Sequence, residues 1–187
     1  VARQRDTVVL RVGGGPQFIA ISGSPSSNPR ITHYCLSIDD FDHEEAVQIL
    51  AEYGVASINS SGPMQSRVRM RGPEFGGSSG GTPELYFGDP DGIVVQLQDS
   101  SYCGGAGFNG ENCLNTEEAA PTDGLLTLRE FNHFTLFVSD QAKSIEFYQS
   151  LFGMPVDTFQ GALPVMRVGF GRAFLALAQQ PAQPRIH

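Results

Sequence analysis

The 187-residue chain is 40% hydrophobic and 17% charged, the make-up of an ordinary soluble globular protein with enough length for one large or two small cores. Its formal charge of −8 is spread along the chain and would repel a nucleic-acid backbone or an anionic membrane surface, and no apolar run approaches the ~20 residues of a membrane span. That leaves a small molecule as the expected partner, with neither nucleic acid nor membrane involved.

Taken from the N-terminus, Val8, Leu10 and Val12, then three glycines, then residues 18–21, predict a hairpin with a glycine turn. The stretch LRVGGGPQFIAIS at 10–22 matches MRVGFGRAFLALA at 166–178, and both are followed by linkers ending in Pro-Arg-Ile. The N-terminal hairpin, residues 1–24, therefore reads as the second half of a unit, and the chain as a window on a longer tandem protein or one that has lost a first strand and helix. Such a hairpin has open edges that need covering. Residues 131–160 of the same chain or a neighbouring chain are the expected cover, giving a homodimer or a swapped pairing.

A complete unit is predicted over 30–99. ITHYCLSIDD at 31–40 matches FNHFTLFVSD at 131–140 position for position, each an alternating strand with one histidine, ending at an acidic residue where a helical pattern begins. Period-2 alternation puts Tyr34, Leu36 and Ile38 on one face and His33 on the other. Asp42 with Glu45 resembles a capping box, and Tyr53-Gly54 closes a helix over 42–53. Residues 55–59 predict a short strand. Arg67, Arg69 and Arg71 alternate with Val68 and Met70 on another strand, whose charged face reads as solvated, with contact to an anionic substrate as the alternative. The Gly/Ser-rich 75–83 predicts a flexible loop, and residues 85–98 a hairpin around Gly88-Asp89-Pro90-Asp91-Gly92.

Residues 100–128 carry no sustained period and read as a linker or an ordered excursion. A second complete unit over 129–187 repeats the order, with the His133 strand, a helix over 141–152, a strand at 156–160 and a hairpin at 164–178. Cys35 falls on the first histidine strand and reads as core. Of the three cysteines, Cys103 and Cys113 bracket a glycine-rich loop, but the odd count and the absence of a secretory signal predict reduced thiols and a cytoplasmic protein. His43 reads as a surface residue. His187 sits at or one residue before the position equivalent to His33 in a following unit, which makes it a candidate ligand there.

Tandem βαβββ units, each with a first-strand histidine, and a DPDG turn before the first unit's last strand resemble the vicinal oxygen chelate superfamily, which includes glyoxalase I, bleomycin resistance proteins and type I extradiol dioxygenases. The resemblance implies an α+β fold in which modules pair through their first strands into a curled, mostly antiparallel funnel with helices outside. It implies a divalent metal, iron(II) first with zinc or nickel as alternatives, held by first-strand histidines and a last-strand carboxylate. Carried onto this sequence, the ligands are His33, His133 and Gln96, the last standing where the family usually has a carboxylate. The resemblance thus implies a metalloenzyme acting on a small oxygenated molecule, extradiol-dioxygenase-like before glyoxalase-like, in which Gln96 fits a metal-free pair and His133 opens the active one. It assigns no catalytic acid or base. The alternative is a metal-free binding protein of the bleomycin-resistance kind.

Overall fold

A computed structural model describes residues 2–4, 6–23, 28–113, 119–120 and 124–187, with side chains from residue 6 onward. In chain order the strands are β1 (Ala2–Gln4), β2 (Thr7–Arg11), β3 (Phe18–Ser22) and β4 (Tyr34–Ile38), followed by helix α1 (His43–Tyr53). Then come β5 (Ala56–Ser57), β6 (Gln65–Arg71), β7 (Thr82–Gly88) and β8 (Val94–Asp99). The second unit has β9 (His133–Val138), α2 (Gln141–Phe152), β10 (Val156–Gln160), β11 (Leu163–Arg167), β12 (Phe174–Gln179) and β13 (Arg185–Ile186). No helix among the described residues is long and apolar enough to cross a membrane.

The sequence signals account for the helices. Asp42 accepts from the amides of Glu44 and Glu45 at the start of α1, and Asp140 accepts from that of Lys143 at the start of α2. Gly54 and Gly153 close them in the left-handed region, at φ 105° and 62°, which glycine adopts without a Cβ clash.

The fold is α+β and each complete unit is a βαβββ module. In the first, the sheet order is β4-β8-β7-β6-β5, with β4 parallel to β8. In the second it is β10-β11-β12-β9-β13, with β9 parallel to β12. Among the described residues the two modules share no hydrogen-bonded sheet, but the His33 and His133 strands lie on sheets that share one core, as expected of paired units. They meet through their apolar faces and helices instead. One core holds Tyr34, Leu85 and Phe87 of the first module with Leu136, Phe147 and Leu177 of the second. Tyr34 stacks on Phe134 at 5.8 Å, and Phe147 of α2 reaches Phe87 at 6.2 Å and Tyr53 at 5.6 Å.

The DPDG turn is the polar latch of this junction. Asp89 Oδ1 accepts from the amides of Asp91 and Ile93, a side-chain-braced turn, and Gly92 takes the positive φ of 78°. Across the junction the Tyr148 hydroxyl donates to Asp89 Oδ2 at 3.0 Å, the Tyr34 hydroxyl donates to that of Tyr148 at 2.8 Å, and Ser139 donates to Asp91. Burial raises the Asp89 carboxyl to about 6 against these hydrogen bonds, which pull it down. An acid raised on folding binds its proton more tightly in the native state, so ionising it costs stability. Its contribution is largest below pH 4 and lost as pH rises to about 6. Melting temperatures of the parent and Asp89→Asn across pH 3.5–7 should therefore diverge over that interval, and parallel curves would show that Asp89 ionises normally.

Three segments differ from expectation. The 75–83 stretch is knitted rather than flexible: Gly77 donates to the Gly72 carbonyl, Ser78 donates to Thr82 Oγ1, and Thr82 in turn donates to the Gly107 carbonyl at 2.6 Å. Cys103 and Cys113 form a disulfide, contrary to the reduced thiols expected, because the excursion after β8 turns back on itself and brings their Cα atoms to 6.0 Å. The N-terminal hairpin forms a separate sheet, β1-β2-β3, with no strand pairing to residues 131–160. It touches the second module's approach instead: Gln17 accepts from the Phe131 amide at 2.6 Å, and Gly13, at φ 59°, lies so close to the Arg129 carbonyl that a Cβ would overlap it. Ile19 and Ile21 are 44% and 52% exposed, whereas Leu175 and Leu177, which match them in the repeat, are 1% and 0% exposed. Part of 100–128 lies outside the described residues.

Candidate functional site

Strand alternation sends the histidines away from the shared core. Because the face of β4 carrying Tyr34 meets the face of β9 carrying Phe134, His33 and His133 look in opposite directions. The expected trio of His33, His133 and Gln96 is thus split. His33 and Gln96 are together on the first module's polar face, and His133 is on the second's.

On the first polar face, register sets Cys35 beside Gln96, Gln96 beside Tyr86 and Tyr86 beside Arg67. His33 is held edge-on to Tyr86 at 5.3 Å, with Nδ1 2.9 Å from Thr32 Oγ1. Burial lowers its pKa, opposed by the Glu84 charge and by a hydrogen bond with Gln96, so the ring is a neutral imidazole at physiological pH. Cys35 is not core as expected. It is exposed, on the edge strand β4 of the first sheet.

The carboxylate on this face, Glu84, is already committed. Arg71 Nε donates to it at 2.7 Å, and the hydroxyls of Tyr86 and Tyr102 donate at 3.1 and 3.2 Å. Arg71 is 1% exposed, not solvated as its alternation suggested, and also donates to the carbonyls of Gly105 and Phe75. The disulfide-closed excursion is thereby folded against one end of the face. Beside this cluster the Gln98 amide is fully buried with neither polar atom hydrogen-bonded, a cost of about 1–3 kcal/mol. Glu84, Tyr102 and Gln98 were missed in the sequence, and Arg71 was read as solvated, because only the fold-back of residues 99–113 makes that end an interior.

The second polar face carries His133 and, unexpectedly close, His187. Strand β13 runs antiparallel to β9, with Arg185 opposite Phe137 and Ile186 opposite Leu136, and the His187 amide donates to the Thr135 carbonyl at 2.8 Å. Opposed residues of an antiparallel pair point to one face, so His187, Thr135 and His133 share that face of the sheet. His133 stacks flat on Phe174 at 4.6 Å and His187 on Phe137 at 4.7 Å. His133 Nδ1 lies 2.8 Å from Asn132 Oδ1, a contact of the kind that orients a ligating imidazole. Beside Phe174 opens a cavity of about 300 Å³ lined in part by Arg167, Arg172 and Val165.

This donor set fits a divalent cation in part. Two imidazoles on one face, one of them oriented by a neighbouring amide, suit a borderline metal. Among the described residues, no group of three or more His, Cys, Asp or Glu is placed to hold one.

Residues 130–183 match the family model described as the Glyoxalase/Bleomycin resistance protein/Dioxygenase superfamily. In fold, the chain is similar to a solved xylose isomerase-like TIM barrel/4-hydroxyphenylpyruvate dioxygenase fusion protein, with a TM-score of 0.60 and 18% identity over 99% of this chain. The chain spans 30% of the length of that structure. No curated protein matches it. The second module thus matches the superfamily's sequence model, and the chain as a whole shares the fold of part of that solved structure.

Proposed function

We propose that the protein is a metal-dependent enzyme of the glyoxalase/dioxygenase type, extradiol-dioxygenase-like, whose centre is on the second polar face. The observation that carries this reading is the pair of histidines His133, on strand β9, and His187, directly after the adjacent strand β13, the first of them stacked on Phe174, which lines a cavity large enough for a single small ring. In this reading both imidazoles hold the metal, iron(II) before zinc or nickel, and Asn132 orients the first. When bound, iron supplies the chemistry that brings dioxygen and a substrate with two vicinal oxygens together. Arg172 supplies positive charge to that cavity, where Arg167 is paired with Asp157 at 3.2 Å, and that charge favours a substrate that has lost a proton on binding.

His33 and Gln96 hold no metal in this reading, since the nearby carboxylate is engaged by Arg71. A cup that keeps its carboxylate in an ion pair is what favours the alternative, a metal-free small-molecule binding protein. The exposed Ile19–Ile21 face supports association with another chain, as a homodimer or swapped pair. The disulfide favours an oxidising compartment over the cytoplasm.

Iron(II)-loaded protein with catechol as probe in an oxygen electrode should consume dioxygen. His133→Ala should reduce that rate at least about a hundredfold, since a metal missing a ligand neither stays nor orients its substrate. Equal uptake by the variant and the parent would contradict the reading.

A further inference from the structure

The second polar face absorbs His133 and His187, but the first module has a cup of its own with unspent chemistry. At the end of the sheet away from the disulfide-closed excursion lies a cavity of about 360 Å³. Its polar wall is Arg67, Tyr86 and Gln65, and its apolar wall is Ile58, Pro63 and Val94. The loop through Gly62 and Pro63 closes the far side.

The charges on this face do not balance. Glu84 neutralises Arg71 at 2.7 Å and stands 3.7 Å from Arg69, whose guanidinium lies over Phe75. Arg67 has no anionic partner among the described residues. Its guanidinium lies over the Tyr86 ring at 5.3 Å. A guanidinium placed over an aromatic ring and without an anionic partner has its N–H fork available to take a carboxylate through two parallel hydrogen bonds. His33 stands edge-on to the same ring, and Gln96, 4% exposed, lies next to Tyr86 across the sheet.

We propose that the first module's cup is a second small-molecule site, which binds an organic monocarboxylate. The carboxylate takes the Arg67 fork, and its ring or short apolar body packs against Ile58, Pro63 and Val94. One free guanidinium matches one negative charge, and the apolar wall gives no partners to a fully hydrated dianion such as phosphate. Because His33 and His133 face away from one another, this site is separate from the proposed metal centre and does not depend on it.

The test is a titration of the uniformly 15N-labelled full chain with sodium benzoate, followed by amide chemical shifts. Benzoate should give saturable shifts on β6, β7 and β8, and Arg67→Gln should weaken it about tenfold or more, the usual loss for a charged hydrogen-bonding partner. Arg67→Lys should also weaken it, because an ammonium cannot fork, and its retained charge guards against a folding defect in the glutamine variant. Neutral benzamide should bind far more weakly, and His133→Ala should bind benzoate as the parent does. Benzoate binding unchanged by both Arg67 substitutions, benzamide binding as tightly as benzoate, shifts confined to residues 133–179, or no saturable shift would each overturn the proposal.

Discussion

Replacing Arg71 by methionine should destabilise the protein by about 3–5 kcal/mol, the range for breaking a buried ion pair from one side. The guanidinium is 1% exposed and its partner Glu84 3%. Removing it strands a carboxylate among Tyr86 and Tyr102, with only the half-exposed Arg69 at 3.7 Å as a counter-charge. The same change deletes the bond to the Gly105 carbonyl that fastens the disulfide-closed excursion to the sheet. Two readouts separate the effects. The urea midpoint should fall with an unchanged m-value, and limited proteolysis should begin within residues 99–113 before the rest of the fold. The double variant Arg71→Met, Glu84→Leu should recover much of the loss, because an apolar pair of similar bulk leaves no orphaned charge. A single variant as stable as the parent would mean that the ion pair is solvated and that the excursion does not seal it.

What the sequence made legible was local. The helix starting after Asp42 and the one starting after Asp140 are as predicted, because an N-cap and a terminal glycine are near-neighbour chemistry. The faces of β4 and β9 were also legible, since alternation alone decides that Tyr34 and Phe134 point one way and their histidines the other. What those faces meet was not. Period-2 alternation is silent on whether two apolar faces lie side by side or pack against one another, and that choice split His33 and Gln96 from His133. The burial of Arg71 was hidden for a related reason: the charged stripe at 67, 69 and 71 reads as solvated until a glycine-rich excursion, itself without period, folds over one end. His187 was recognisable as the match of a first-strand histidine, but its register against Thr135 depends on a pairing that no pattern within residues 184–187 announces.

The largest expected functional effect is on metal binding. His133 and His187 share one face of the second sheet, and in the proposed site these two imidazoles are the protein's metal donors. A divalent ion held by so few protein donors cannot lose one and remain bound at comparable affinity. His33 and Gln96 lie across the core, so changes there should leave that equilibrium alone. Even Gln96→Glu, which restores the carboxylate the superfamily pattern leads one to expect, should add nothing to it.

The decisive measurement is a calorimetric titration of nickel(II) into the untagged full chain and the variants His133→Ala, His187→Ala, His33→Ala and Gln96→Glu. The account predicts one site in the parent, weakened about tenfold or more by His133→Ala and by His187→Ala alike, and unchanged by His33→Ala and Gln96→Glu. A parent that takes up no metal, or a site that survives His187→Ala but disappears with His33→Ala, would contradict it.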